Sequence, residues 1–237
     1  MSDQEHTMPV ANKRIVLKAD GICKAFYQPV KVPILKGVCL EAYQGESVAI
    51  MGRSGEGKST LLHILGTLEQ PCSGFLTIAD HDVSSFNKAK LRNRHIGFVF
   101  QAFHLLDDYT VLDNILMPAR IARKNIGKNS AMYKQALTLL ESVGLLDRAH
   151  FNTKLLSGGE KQRAGIARAL CQDPDIILAD EPSGNLDHTT SLGIQDLLLN
   201  FAKQHNKALI VVTHDQNLAN RCDKIYHLQD GLLHLQS

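Results

Sequence analysis

The chain has 237 residues, 44% hydrophobic and 21% charged, with 26 Lys and Arg against 24 Asp and Glu, a net charge of +2. This is ordinary globular composition, and it excludes a disordered acidic tail or a nucleic-acid-coating basic surface. Five scattered cysteines (23, 39, 72, 171, 222) with no C-x-x-C pair argue for a reducing cytoplasm and against a disulfide framework or a zinc site. Residues 1–13 read as a loose polar tail without the apolar core of a signal peptide, and no run approaches ~18 apolar residues. If the function involves a membrane, another chain must supply the span.

From residue 14 the pattern is strand-like. Residues 14–18, 38–43 and 47–51 read as strands, with Phe26-Tyr27, Pro29 and Pro33 in a turn-rich connection between the first two. The third strand runs into G-R-S-G-E-G-K-S-T, residues 52–60, which matches G-x-x-x-x-G-K-[ST]. Leu61, Leu62, Leu65 and Leu68 follow at helical spacing. Strand, glycine loop and helix thus come in the order a phosphate-binding loop requires. Glycines let backbone N–H groups turn inward, and the helix adds its free N-terminal donors and positive dipole end. Gly52, Arg53, Ser54, Gly55, Glu56, Gly57, Lys58, Ser59 and Thr60 form the cradle for a nucleoside triphosphate, with Lys58 on the β- and γ-phosphates and the Ser59 hydroxyl on Mg²⁺.

Residues 71–74 are read as ending that helix, and 75–79 as the next strand. Lys88, Lys90, Arg92 and Arg94 read as a solvated helix face. Residues 95–100 form a buried strand ending at Gln101, which can reach Mg²⁺ or water. Residues 110–144 turn helical. Strand-helix alternation then resumes, with strands at 176–179 and 208–212 and a helix at 191–202, which argues for a parallel α/β sheet with a helical insertion near 102–158. There is no internal repeat and no low-complexity segment.

Two strand ends carry chemistry. The 176–179 strand delivers Asp180 and Glu181 to the sheet's C-terminal edge, beside the phosphate loop, where ligands collect in such sheets. Asp180 fits a Mg²⁺-supporting aspartate, and Glu181 a residue that orients or deprotonates water. One strand over, V-V-T-H-D brings His214 to the same edge, able to donate to the γ-phosphate or to hold the water. Between them, Ser157, Gly158 and Gly159 open a helix over 160–171, a second anion-receptive N-terminus. One ATP needs only one phosphate loop, so the second site implies another use.

The run L-S-G-G-E-K-Q-R (156–163) resembles the signature of ATP-binding cassette (ABC) ATPases, and the phosphate loop, Gln101, A-D-E-P, S-G-N-L-D (183–187) and His214 follow in that family's order. The resemblance covers nearly the whole chain from about Arg14. It implies an α/β P-loop NTPase with a RecA-like, mostly parallel sheet core, an antiparallel β subdomain and the inserted α-helical subdomain, residues 14–237 forming one nucleotide-binding domain. It also implies a head-to-tail homodimer with ATP and Mg²⁺ at the interface. There the phosphate loop of one subunit faces Ser157 and Gly159 of the other, Asp187 contacts across the interface, and Phe26 or Tyr27 stacks on adenine. ATP would close the dimer and hydrolysis open it.

Q-A-F-H-L-L-D-D-Y-T-V-L-D-N-I-L-M-P (101–118) is similar to the lipoprotein-release and macrolide-export subfamily, and C-K-A-F-Y-Q (23–28) and L-L-H-I-L-G (61–66) lean toward its lipoprotein-releasing branch. That implies a peripheral ATPase on the cytoplasmic face of the inner membrane. Integral membrane permease subunits would dock in a groove lined by residues near Gln101 to Leu116. The alternatives are an efflux or cell-division complex, or a soluble ABC ATPase on nucleic acid or ribosomes; no nucleic-acid partner is expected from a near-neutral single cassette. The absence of N-K-x-D disfavours GTP. Three residues depart from the family pattern: Glu56 where a small residue is usual, Ser183 for threonine, and Phe26 for tyrosine. A Glu56 carboxylate near the phosphates predicts weakened ATP affinity, with Arg53 as a partial neutraliser.

Overall fold

The computed structural model describes residues 13–27 and 30–236. The polar tail up to residue 12, Gln28 and the expected turn residue Pro29 lie outside them.

A six-stranded sheet, in the order β10-β9-β3-β8-β7-β6, is built around β3 (Ser47–Met51). Strands β3, β6 (Ile96–Val99), β7 (Ile176–Asp180), β8 (Ala208–Val212) and β9 (Lys224–Gln229) run parallel, and only β10 (Leu232–Leu235) is antiparallel. Central parallel strands are covered on both faces, which is why 48–51 of β3, 176–179 of β7 and all of β8 are continuously apolar rather than alternating. Ala49, Ile177, Ala179, Leu209 and Val211 pack with the helices on one side. Val48, Ile50, Ile176, Leu178, Ile210 and Val212 face the other side, against α1 (Lys58–Leu65) and the second sheet. The closing β9–β10 hairpin, with its half-exposed residues, was not anticipated.

The second sheet is antiparallel, β2-β1-β4-β5, comprising β1 (Ile15–Phe26), β2 (Val32–Tyr43), β4 (Ser73–Ile78) and the short β5 (His81–Asp82). Both long strands extend well past the expected 14–18 and 38–43. The turn-rich connection correspondingly shrinks, because Pro33 pairs with Ala25 inside the ladder. β2 is a sheet edge, where a missing N–H breaks no ladder bond. The helix after the phosphate loop stops at Leu65, ahead of the expected terminator at 71–74, and Leu68 is 48% exposed rather than on the core face.

The basic cluster lies on α2 (Lys88–His95), but it is not wholly solvated: Arg92 Nη1 donates to Thr67 O at 2.8 Å. Between β6 and β7 the chain is helical. The expected 110–144 stretch forms α3 (Val111–Ile121) and α4 (Ala131–Ser142), followed by α5 (Gly158–Leu170). Thr110 and Ser130 cap α3 and α4 by accepting from Asp113 N and Tyr133 N at 3.1 Å each, contacts of about 1 kcal/mol apiece. After β7, α6 (His188–Gln204) leads to β8, and α7 (Gln216–Ala219) to β9.

Candidate functional site

The loop leaves the end of β3 and turns into α1 at Gly57, whose φ of 96° is open to glycine alone without strain. No side chain caps this N-terminus and no acidic residue occupies its first turn, so its backbone donors stay free for an anion. A Cβ on Gly57 would lie 2.3 Å from Ile34 Cγ2, so the loop rests directly against β2. Lys58 Nζ donates to Gly52 O at 2.8 Å and Arg53 O at 2.9 Å, holding the ammonium over the loop. Glu56 turns back onto the loop's base, where its Oε2 accepts from Arg53 N at 2.6 Å. This corrects the expectation for Arg53: among the described residues no ion pair joins its guanidinium to Glu56, and its backbone N–H takes the charge instead.

At the end of β7, Asp180 Oδ1 accepts from Ser59 Oγ at 3.2 Å, bringing two of the three expected metal ligands, Ser59 and Asp180, together, with Gln101 on the same cleft. Burial raises the Asp180 pKa, and the Ser59 hydrogen bond opposes the rise. A half-buried carboxylate beside a hydroxyl is an oxygen donor set suited to a hard divalent cation. Glu181 follows in a left-handed conformation, φ 43°, anchored by its N–H on Val212 O at 2.9 Å. Such backbone is costly for a non-glycine residue and is found at sites that need an aimed side chain. Here it turns Glu181 Oε1 to within 2.9 Å of His214 Nδ1. The phosphate loop, Gln101, Glu181 and His214 line one cleft of about 460 Å³ at the C-terminal edge of the parallel strands.

Gln101 also bonds to a residue not singled out from the sequence: its Nε2 donates to Asn185 Oδ1 at 3.0 Å, and Asn185 Nδ2 returns a bond to Gln101 O at 3.0 Å. Asn185 lies within the S-G-N-L-D run, which was the available signal. Buried Gln162 was likewise missed. Its Nε2 donates to Phe100 O at 3.2 Å and Pro182 O at 2.6 Å, tying the strand before Gln101 to the segment after Glu181.

Ser157, Gly158, Gly159 and Asp187 are not among the cleft-lining residues. Ser157 is the exposed N-cap of α5 in a full capping box: its Oγ accepts from Glu160 N at 3.3 Å, and Glu160 Oε2 accepts from Ser157 N at 2.8 Å. Asp187 caps α6 through Thr190 N at 3.1 Å. Phe26 and Tyr27 are 45% and 63% exposed at the hairpin end near Ile34, each with a lysine over its ring. Either ring can offer a stacking face. A concavity of about 870 Å³ opens among Phe86, Lys90, Arg94, Ile121, Arg123 and Lys124, reaching the far end of the helix that residues 111–116 begin. No helix among the described residues is long and apolar enough to cross a membrane.

A family profile described as "ABC transporter" matches residues 35–184. The lipoprotein-releasing system ATP-binding protein LolD of Protochlamydia amoebophila is 58% identical over 94% of this chain and 98% of its own length. Its counterpart from Pseudomonas fluorescens is 44% identical over 94% and 98%. Among solved structures, a dimeric ATP-binding cassette in a post-hydrolysis state with ADP and phosphate superimposes with a TM-score of 0.83 at 37% identity, covering 93% of this chain and 98% of that one.

Proposed function

This chain belongs to the ABC transporter ATP-binding family, and on that premise we propose that it is the ATP-hydrolysing motor subunit of a membrane complex that releases lipoproteins from the inner membrane. The observation that carries the reading is the convergence of Lys58, Ser59, Asp180, Glu181 and His214 on one sheet edge, in a chain 58% identical to a lipoprotein-releasing ATPase. The efflux, cell-division and nucleic-acid alternatives are not favoured by these relatives.

The chain is an ATPase, and its chemistry follows from the cleft. The loop amides and the free N-terminus of α1 hold the triphosphate, and Lys58 leaves the Gly52 and Arg53 carbonyls for the β- and γ-phosphates. Ser59 and Asp180 would hold Mg²⁺, with Gln101 reaching the same centre; bound there, the ion neutralises charge building on the phosphates. Glu181 accepts the proton of the attacking water as it strikes the γ-phosphorus, while the bond from that phosphorus to the bridging oxygen breaks and the oxygen leaves on ADP. His214 keeps the carboxylate aimed. Release of phosphate removes the negative charge that the cradle had gathered.

We assign Ser157, Gly158 and Gly159 to a second copy's nucleotide. The exposed Ser157 at a helix N-terminus outside its own chain's cleft supports this, as does the dimeric state of the similar cassette. Asp187 would then meet the partner copy, and Phe26 or Tyr27 the adenine. Residues 14–237 form one nucleotide-binding domain in which the helical part, 102–158, carries motion to integral membrane permease subunits docked around the exposed Leu106 and Tyr109, at the cytoplasmic face of the membrane. The test is reconstitution: the chain with its permease subunits in vesicles should release a bound lipoprotein on ATP addition. ATP hydrolysis that leaves every lipoprotein in the bilayer would overturn the assignment.

A further inference from the structure

The loop after Gln101 holds two consecutive bulky residues in left-handed backbone, Phe103 at φ 55° and His104 at φ 48°. Neither is glycine, so the conformation persists only where something else imposes it. Arg168, on the signature helix α5, holds both carbonyls of this pair: its guanidinium donates to Phe103 O at 2.8 Å through Nη2 and to His104 O through Nη1. Its hydrogen bonds among the described residues go to these two carbonyls, and burial lowers its pKa. A partly buried cation spent wholly on two backbone carbonyls is an expensive arrangement for a mere helix surface. The same loop is tied at its start by Gln101 to Asn185, and further on by Asn114 Oδ1, which accepts from Leu106 N at 2.7 Å. Phe103 reaches the tip of α5, since a Cβ on Gly158 would lie 3.8 Å from its Cζ.

We propose that Arg168 is a positioning residue that locks the loop following Gln101 to the helix bearing Ser157, so that the two move as one body. Its consequence rests on the shared-nucleotide reading above. Displacing the loop at Gln101 turns the Ser157 tip with it, and closing Ser157 onto a partner's nucleotide pulls the loop. The phosphate loop lies outside this linkage, so binding of ATP to a single chain is independent of Arg168.

The test replaces Arg168 by Met, which keeps the stem and removes the donors, in chains that otherwise carry the native sequence. ATP affinity of the monomer should stay at the wild-type value, while kcat falls and the ATP needed for dimerisation rises, each on the order of tenfold. Adding His104→Gly, which accepts left-handed backbone freely, should recover part of both losses, and Arg168→Lys should fall between. Wild-type kcat and dimerisation in Arg168→Met, or no recovery with His104→Gly, would overturn the proposal. Should Arg168→Met not fold, hydrogen exchange in the wild-type chain decides: ATP must alter protection of residues 101–106 and 156–161 together, and a change in one segment alone refutes the lock. A wild-type chain that never dimerises with ATP sinks the shared-nucleotide reading instead, and leaves the two-segment exchange experiment to judge Arg168.

Discussion

His214 Nδ1 lies 2.9 Å from Glu181 Oε1, although the histidine is 72% exposed and the carboxylate 17%. The contact bridges neighbouring parallel strands, β8 and β7, and makes the histidine the outer member of a pair whose inner member faces the cleft. Removing the carboxylate's basicity leaves the pair's shape intact, because an amide oxygen can replace one acceptor. Glu181→Gln is therefore expected to cut turnover by ~10²–10⁴ while ATP affinity holds, and to accumulate a closed dimer. Single-turnover hydrolysis and nucleotide titration measure both; wild-type turnover removes Glu181 from its role. His214→Ala should lower kcat less, since it deletes an aiming contact rather than the base.

Glu56 carries a full charge into the phosphate loop, yet its oxygen is held by Arg53 N at 2.6 Å, on the loop's base. A carboxylate ~8 Å from phosphate costs roughly 0.5 kcal/mol in bulk-like solvent and ~2 kcal/mol at an effective dielectric of 20. Glu56→Gln removes the charge and keeps an acceptor for Arg53, so the ATP dissociation constant should fall by ~2- to 30-fold. Calorimetry at low and high salt checks it, and an unchanged constant ends the repulsion argument.

Asp180, the proposed cation ligand, sits where burial disfavours its charge. Burial raises its pKa, so the native state holds its proton more tightly than the unfolded chain does. The sign follows directly: ionised Asp180 destabilises the ligand-free fold at all pH above its raised value, and that cost fades as pH falls through it towards the unfolded value of 3.8. Asp180→Asn should raise the nucleotide-free melting temperature at pH 7, with the gain shrinking on acidification, while hydrolysis falls by at least ~10². A lower melting temperature at pH 7 would contradict the desolvation account.

Thiol chemistry offers an independent check on the core. Cys171 is fully buried against α3, and burial pushes its pKa up to about 11. At pH 8 only roughly one thiol in a thousand would then be ionised, and that one is unreachable. Cys39 and Cys72 are exposed. A disulfide reagent should label the latter pair rapidly and Cys171 only after denaturant; fast native labelling of Cys171 would show that α5 opens far more readily than its packing allows.

What the sequence made legible is what depends on neighbours in the chain. The glycine spacing of 52–60, the apolar runs of β3 and β8, and the Ser157 cap are all written in a few consecutive residues, and each forms as read. The site's assembly follows from parallel order, since Asp180 and His214 sit at equivalent ends of adjacent strands. Long-range partners were hidden. Pro33 reads as a turn until β2 is known to be an edge, and Leu68 continues a helical spacing that Gly66 has already ended. The Gln101–Asn185 pair and the Glu56 bond to its own loop depend on how the backbone turns, which spacing alone does not encode.

The Ser157 tip tests the shared grip most directly, because its two duties can be separated. Within the chain its hydroxyl accepts from Glu160 N at 3.3 Å and caps α5. Losing that cap costs ~0.5–2 kcal/mol, a fraction of the ~5–15 kcal/mol typical of a folded domain, so Ser157→Ala and Ser157→Arg should both fold, with modestly lower melting temperatures. Neither should alter ATP affinity of the monomer, since the residue does not line the cleft. The arginine differs in what it presents outward. It places a long cation at the positive end of a helix dipole and fills the space a partner's γ-phosphate would enter. In the Glu181→Gln background, then, ATP should still dimerise the alanine variant at raised concentration and fail to dimerise the arginine variant. An ATP-dependent dimer of Ser157→Arg in light scattering would mean that this helix tip does not face the second nucleotide.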